Sequence, residues 1–184
     1  RGPSQPTGAG RAGRAAPAPI DPAGVPAFEL PSSSAMEKAA SEQRPLIIYF
    51  PGENADDSAF YGEELANFSK SNALFVKVPY TADREKSPWA EATVVPTSPL
   101  LSDNPSRDYG VKVGVATVIV ADWFGNEYFR TDNKATIDSL RGMVRKVADK
   151  MDAENKKLQK NLDKAVQANE KADRKAALKH LLAN

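Results

Sequence analysis

The chain of 184 residues carries 25 Lys and Arg against 24 Asp and Glu, and its formal net charge of +1 gives no electrostatic argument for nucleic acid or an anionic surface. It contains no cysteine, which excludes disulfides, thiolate catalysis and cysteine-based zinc sites, and its single histidine leaves little room for a histidine metal cluster or triad. No apolar run reaches the roughly 18 residues that a membrane span needs, and the length predicts one domain with appendages.

Residues 1–31 are dominated by Pro, Gly and Ala. Such a segment buries too little apolar surface to offset its ordering entropy, so the composition predicts a disordered or extended tail. Val25, Phe28 and Leu30 are its evident apolar anchors. We expect residues 1–31 to run along a neighbouring chain and to hold the protein in a larger assembly.

Residues 32–148 alternate between strand and helix patterns and predict an α/β domain. Apolar runs predict strands at 45–50, 73–80, 116–122 and 127–130. Helical spacing and capping residues predict helices at 35–43, 56–71 and 136–149. The short sequence FGN joins the last two strands as a hairpin, in which Trp123 and Phe124 either cover the sheet or contact a partner.

A long connection at 81–108 separates the second predicted strand from the third. Four prolines stiffen it, and Trp89 is its largest apolar side chain. Connections of this length are uncommon in compact domains, so the insertion either packs on its own domain or grips a neighbour. The sequence leaves both alternatives open.

The order of these elements, with the segments RPLIIYF, ALFVKV and YGVKVGVATVIVADWFGNEYFR, resembles the thioredoxin-like fold across about residues 34–148. The resemblance implies a three-layer α/β sandwich. In redox-active members of that family, the corner after the first core strand carries a CxxC motif, and a cis-proline faces it from a neighbouring loop. On this resemblance the two cysteine positions correspond to Ala55 and Ser58, and the proline position corresponds to Ala116.

This corner is therefore predicted to be an emptied redox site with no cofactor. A methyl group cannot attack a disulfide, and the Ser58 hydroxyl is a poor nucleophile without a base, with no histidine near it in the sequence. A cis peptide bond before a residue other than proline costs about 2.5–4 kcal/mol, so the Val115–Ala116 bond is predicted to be trans. Replacement of both cysteines in an oxidoreductase would explain Ala55 and Ser58, but it would not explain Ala116.

The corner is also acidic, with Glu53, Asp56, Asp57, Glu63 and Glu64. A cation site is one interpretation. Acidic residues are favoured in a first helical turn by the helix dipole, and Asp56 is a suitable N-cap, so the structural interpretation is preferred.

Residues 149–184 favour helix, with no Gly or Pro and with a thin apolar seam that includes Leu158 and Leu162. A break near Lys171–Asp173 would give a helical hairpin, whereas its absence would give one long helix. His180, near the C-terminal end, is predicted to be a surface residue favoured by the helix dipole.

The preferred function is a redox-inactive interaction or structural subunit that contacts other protein subunits. We expect an extracytoplasmic location, no nucleic acid, no membrane span and no small-molecule substrate. The alternatives are a thiol-disulfide oxidoreductase with replaced cysteines and a peptide-binding chaperone that uses the remnant groove. The candidate partner contacts are Val25, Phe28, Leu30, Trp89, Trp123, Phe124, Leu158 and Leu162.

Overall fold

The computed structural model describes residues 24–53, 57–80 and 98–183. The predictions for Ala55, Asp56, Trp89 and most of the N-terminal tail lie outside the described residues. The strands are β1 (Phe28–Glu29), β2 (Leu46–Phe50), β3 (Leu74–Lys77), β4 (Thr117–Ala121) and β5 (Glu127–Thr131). The α-helices are α1 (Ser33–Ser41), α2 (Glu63–Ser71), α3 (Pro105–Asp108), α4 (Ile137–Glu170) and α5 (Arg174–Leu181). Asp57–Phe60 and Pro99–Leu101 form 3-10 turns.

The five strands form one mixed sheet in the order β1-β3-β2-β4-β5. β1, β3 and β2 are parallel, whereas β4 is antiparallel to β2 and β5 is antiparallel to β4. Every residue of β2 and β4 is buried, as their continuous apolar runs predict for central strands. This strand order, with α1, α2 and α4 at the expected places in the chain, is the thioredoxin-like arrangement and confirms the predicted fold class.

The edge strand β1 begins the sheet earlier than the sequence predicts. Phe28 lies opposite Phe75 of β3, and its ring centroid is 5.7 Å from that of Phe75, 6.1 Å from Phe60 and 6.3 Å from Tyr49. The predicted boundary after residue 31 is therefore misplaced, because Phe28 belongs to the sheet. A two-residue strand leaves almost no periodic signal in a sequence rich in Pro and Gly.

A single arginine ties the start of β2 to the end of α2. The Arg44 guanidinium donates from Nη1 to the carbonyl oxygens of Ser69 (3.2 Å) and Lys70 (2.8 Å), and it also pairs with Glu42. The last carbonyls of a helix have no partner within the helix, so Arg44 caps α2.

The described end of the proline-rich insertion packs on its own domain. Leu100, in the second 3-10 turn, and Pro105, the first residue of α3, are both buried. The Tyr109 hydroxyl donates to the Gly125 carbonyl (2.6 Å), which attaches the insertion to the turn between β4 and β5. Residues 98–108 therefore pack on their own domain, and residues 81–97 lie outside the described residues.

The helix predicted at 136–149 and the first part of the extension predicted at 149–184 form one helix of 34 residues, α4. Thr136 is its N-cap, with Oγ1 accepting from the Ser139 amide at 3.3 Å. The chain then reverses at Lys171–Asp173, where Ala172 has a φ of 56°, and α5 packs back on α4. The extension therefore has the hairpin form, and its break lies where the sequence predicts it.

Candidate functional site

The corner after β2 lies directly against the loop that precedes β4. Gly52 is buried, and a β-carbon built on it would stand 2.6 Å from the Gly114 carbonyl oxygen and 3.0 Å from the Ala116 amide nitrogen. Only a glycine fits so close to another backbone. The corner and the loop before β4 therefore face each other, as the resemblance implies. The Val115–Ala116 peptide bond is trans, as are the other peptide bonds of the described residues.

The helix predicted at 56–71 begins later than expected. Asp57–Phe60 forms a short 3-10 turn, and α2 starts at Glu63 with Gly62 as its N-cap. Gly62 therefore holds the N-cap position of α2, and Asp56 lies outside the described residues. Gly62 has a φ of 148°, a backbone conformation that is not helical and that interrupts a continuous helix. Its amide donates a hydrogen bond to the Gly24 carbonyl (2.7 Å).

Ser58 is consequently separated from the N-terminus of α2. It is exposed in the 3-10 turn, five residues before Glu63. Free amide groups and the positive end of the dipole act within the first turn of a helix. The N-terminus of α2 therefore does not supply at Ser58 the electrostatic stabilisation that lowers the pKa of a cysteine thiol in a CxxC corner.

Tyr49, Asp57 and Lys77 form a polar cluster beneath this corner. The Tyr49 hydroxyl donates to Asp57 Oδ1 (2.8 Å), and the Lys77 ammonium donates to Asp57 Oδ2 and lies 5.8 Å from the centroid of the Tyr49 ring. Burial raises the pKa of the Tyr49 hydroxyl, and the hydrogen bond and charge of Asp57 raise it further. The Asp57 carboxylate is thus engaged on both oxygens.

Tyr49 and Lys77 are not among the predicted site residues, because both lie in apolar runs that predict strands. Each is a polar side chain near the C-terminal end of a predicted strand, and this position is the signal that could have identified them. In the structure they are register partners across the parallel pair β2 and β3, next to the strand ends that face the corner. The cluster fixes the 3-10 turn to the sheet, which gives Asp57 a structural role in place of the predicted role in a helical first turn.

The crevice that the described residues form at the corner is small. A crevice of about 20 Å³ lies between Phe50, Pro51, Val78 and the loop before β4, and a volume of this order holds about one water molecule. Val113 and Val115 of that loop are exposed at its mouth. The arrangement offers a short apolar ridge rather than an enclosed pocket.

The described residues include no cluster of three or more His, Asp and Glu side chains that could hold a metal ion. His180, half-buried in α5 against α4, is part of the hairpin rather than of the corner. Among the described helices, none combines the length and the apolar character that crossing a membrane requires.

The candidate partner contacts differ in exposure. Trp123 is buried and covers the hairpin, where the Asp122 carboxylate accepts hydrogen bonds from the Phe124 and Asn126 amides (both 2.9 Å). Phe28 is half-buried in the sheet. The contacts that remain available on the surface are Val25, Leu30, Phe124, Leu158 and Leu162.

The fold and the site define a thioredoxin-like α/β protein without cysteine. No protein-family model and no curated protein sequence matches the chain. The structure is similar to a solved structure described as a DsbH oxidoreductase, with a TM-score of 0.46 and 13% sequence identity, over 69% of this chain and 91% of that chain. A likeness at this level carries no argument about activity, and the fold assignment rests on the strand order.

Proposed function

We propose that this chain is a non-catalytic thioredoxin-like module that acts as an interaction or structural subunit of a protein assembly. The observation that carries the proposal is the position of α2. Because α2 begins at Glu63, Ser58 does not occupy the N-terminus of an α-helix, where this fold activates a thiol.

The described groups near Ser58 do not favour a hydroxyl-based mechanism. A serine nucleophile needs a general base within hydrogen-bond reach. Asp57, its sequence neighbour, accepts hydrogen bonds from Tyr49 and Lys77, and the single histidine lies on α5. The corner is therefore better suited to holding the loop before β4 in place than to chemistry.

The surface supports a binding role. A long helical hairpin extends from the domain and exposes Leu158 and Leu162, and Phe124 is exposed at the turn between β4 and β5. Singly exposed apolar residues are common, but several along one projecting element are typical of a contact surface.

Restoring cysteines at both positions, as Ala55→Cys with Ser58→Cys, tests the proposal. We expect the double variant to reduce a protein disulfide in the presence of dithiothreitol no faster than a control with the same residues spaced alike on α4, Lys160→Cys with Asp163→Cys. Robust turnover by the corner variant alone would favour a silenced oxidoreductase. Near-ultraviolet circular dichroism would establish that both variants are folded.

A peptide-binding chaperone is the second candidate, and one observation favours it. Val113 and Val115 are exposed on either side of Gly114, at the mouth of the corner crevice. If this ridge binds extended apolar peptides, Val113→Asn with Val115→Asn should abolish binding of fluorescent peptides measured by anisotropy. Val166→Asn, an exposed valine on α4, provides the matched control.

A further inference from the structure

Lysines form one row along the length of α4. At 100° per residue, one sector of about 80° of the helix circumference contains, from residue 146 to the C-cap of the helix, Lys146, Lys150, Ala153, Lys157, Lys160, Lys164, Ala168 and Lys171. Six of these eight residues are lysines, none is acidic, and all six lysines are exposed. These six lysines are called the lysine row below. At 1.5 Å per residue the row is about 37 Å long.

The neighbouring flank of α4 has a different charge pattern. Its arginines pair with aspartates one helical turn away, Arg141 with Asp138 (3.3 Å) and Arg145 with Asp149 (4.0 Å). Such pairs of opposite charge are typical of a solvated helix face. On the lysine row, the part of the chain that the structure describes provides one ion pair, between Lys150 and Glu154 (4.0 Å).

The end of the row nearest to the domain lies against β5. The ammonium group of Lys146 is 5.9 Å from the ring centroid of Phe129, and that of Lys150 is 4.4 Å from the ring centroid of Tyr128. The lysines further along, Lys157, Lys160, Lys164 and Lys171, have no carboxylate partner among the described residues. The positive charge of the row is therefore largely uncompensated where α4 leaves the sheet.

The spacing of the row makes its charges repel one another. Like charges three or four residues apart on a helix destabilise it by a few tenths of a kcal/mol for each pair, and the row contains several such pairs. An anionic partner would remove this repulsion. The net charge of +1, from which we expect no nucleic acid, averages over the whole chain. Because exposed charges are screened beyond about 10 Å at 0.1 M salt, distant carboxylates do little to neutralise the row.

The composition of the row selects among anionic partners. It has no aromatic side chain to stack on unpaired bases and no Arg, Asn or Gln to bond to base edges. A protein partner would need carboxylates in register with the lysines over the whole length of the row. A nucleic acid duplex instead presents one negative charge about every 1.7 Å along its axis, so any register fits. On a membrane-bound amphipathic helix the apolar face enters the lipid, and the exposed leucines of α4 lie on a different side from the lysine row.

We propose that the lysine row binds the phosphate backbone of double-stranded nucleic acid, without reading its base sequence. The ammonium groups neutralise phosphates and release the counterions condensed on the duplex, which is the source of the binding free energy. Lysine suits this role because it is a compact point charge that does not need the bidentate geometry of arginine. The row lies on a different element from the corner after β2, so this binding goes beyond the proposed function and does not depend on it.

Fluorescence anisotropy of a labelled DNA duplex of about 30 base pairs, titrated with the full chain, tests the proposal. Each neutralised phosphate contributes about −0.9 to the slope of the logarithm of the affinity against the logarithm of the salt concentration. Six lysines therefore predict a slope of about −5, measured from about 20 mM salt upward. Two duplexes of different base sequence should bind with the same affinity.

Two matched variants of α4 locate the binding surface. Lys160→Gln with Lys164→Gln removes two charges from the row, so the slope should become less steep by about 1.8 and the affinity at low salt should fall about tenfold. Arg141→Gln with Arg145→Gln removes the same charge at the same spacing from the neighbouring flank and should keep the wild-type slope. Far-ultraviolet circular dichroism would establish that both variants retain their helices.

Absence of duplex binding by the wild-type chain at about 20 mM salt would overturn the proposal. Equal changes of slope in the two variants would also overturn it, because they would assign the binding to net charge rather than to the row. Poly-L-glutamate and phosphatidylglycerol vesicles serve as probes for an acidic protein and for a membrane. If the wild type binds either of them through Lys160 and Lys164 but does not bind the duplex, the row belongs to that partner and the proposal is wrong. None of these results affects the thiol measurements at the corner, so the two proposals fail separately.

Discussion

Gly52 and Gly114 lie backbone to backbone, with the carbonyl oxygen of Gly114 in the place where a β-carbon of residue 52 would point. This contact joins the corner after β2 to the loop before β4, and it holds Ala116 beside the corner without a cis-proline. The corner and the loop that the resemblance relates to a redox site thus pack against each other in a chain that has no cysteine.

Gly52→Ala should destabilise the protein. The added methyl group would stand 2.6 Å from a backbone oxygen, so the loop must shift, and overpacking of this kind costs about 1–3 kcal/mol. Chemical denaturation measures the free energy of unfolding. Gly142→Ala in α4, where nothing lies within 4 Å, is the matched control and should stabilise the protein by about 0.5–1 kcal/mol. Equal effects of the two substitutions would show that the contact between Gly52 and Gly114 is not as tight as described.

Tyr49→Phe should alter how stability depends on alkaline pH. The pKa of the Tyr49 hydroxyl is raised in the folded chain, so above the unfolded value near 10 the folded state binds more protons than the unfolded state. The stability that the Tyr49 hydroxyl contributes is fully present below about pH 10, and it decreases as the pH rises from there toward the pKa of the folded chain. Without the hydroxyl, the loss of unfolding free energy between about pH 9.5 and 11 should be less steep than in the wild type.

Burial also raises the pKa of the Tyr109 hydroxyl, so Tyr109→Phe should flatten the same curve independently. The Tyr49 hydroxyl bonds to Asp57 and the Tyr109 hydroxyl bonds to the Gly125 carbonyl, so they share no partner and their effects should add in the double variant. A Tyr49→Phe curve that runs parallel to the wild-type curve would contradict the burial and the Asp57 hydrogen bond described for Tyr49.

Phe28→Ala should lower stability by about 1–3 kcal/mol, less than the 3–5 kcal/mol typical of a fully buried phenylalanine, because Phe28 is half-buried. Leu30→Ala, two residues along and exposed, should change it by less than about 0.5 kcal/mol. Thermal unfolding of both variants measures the difference. If the two substitutions were equally mild, Phe28 would belong to the tail after all.

The position of Phe28 in β1 determines which residues a deletion of the N-terminal tail should remove. Deleting residues 1–31 would take away β1 and is expected to lower the melting temperature. Deleting residues 1–23 removes none of the described strands. The shorter deletion is therefore the variant in which to test whether the tail holds the protein in an assembly.

The parts of the fold that the sequence predicts well are those with a local signal. β2 and β4 are continuous apolar runs, and the reversal at Lys171–Asp173 separates two helix-favouring stretches. The late start of α2 depends on Gly62 bonding to Gly24 and on Asp57 bonding to Tyr49 and Lys77. These partners are distant in sequence, so propensity and spacing alone placed the helix too early.

The central claim is that the corner does not activate a thiol, and the pKa of the cysteine thiol in the variant Ala55→Cys with Ser58→Cys tests it most directly. With α2 starting at Glu63 and with Glu53 and Asp57 nearby in the sequence, we expect the lower thiol pKa to lie at or above the ordinary value of about 8.5. Thiolate absorbance near 240 nm, followed against pH, measures it. A pKa of about 7 or below would contradict the account, because it would mean that the corner still stabilises a thiolate as a redox-active thioredoxin-like site does.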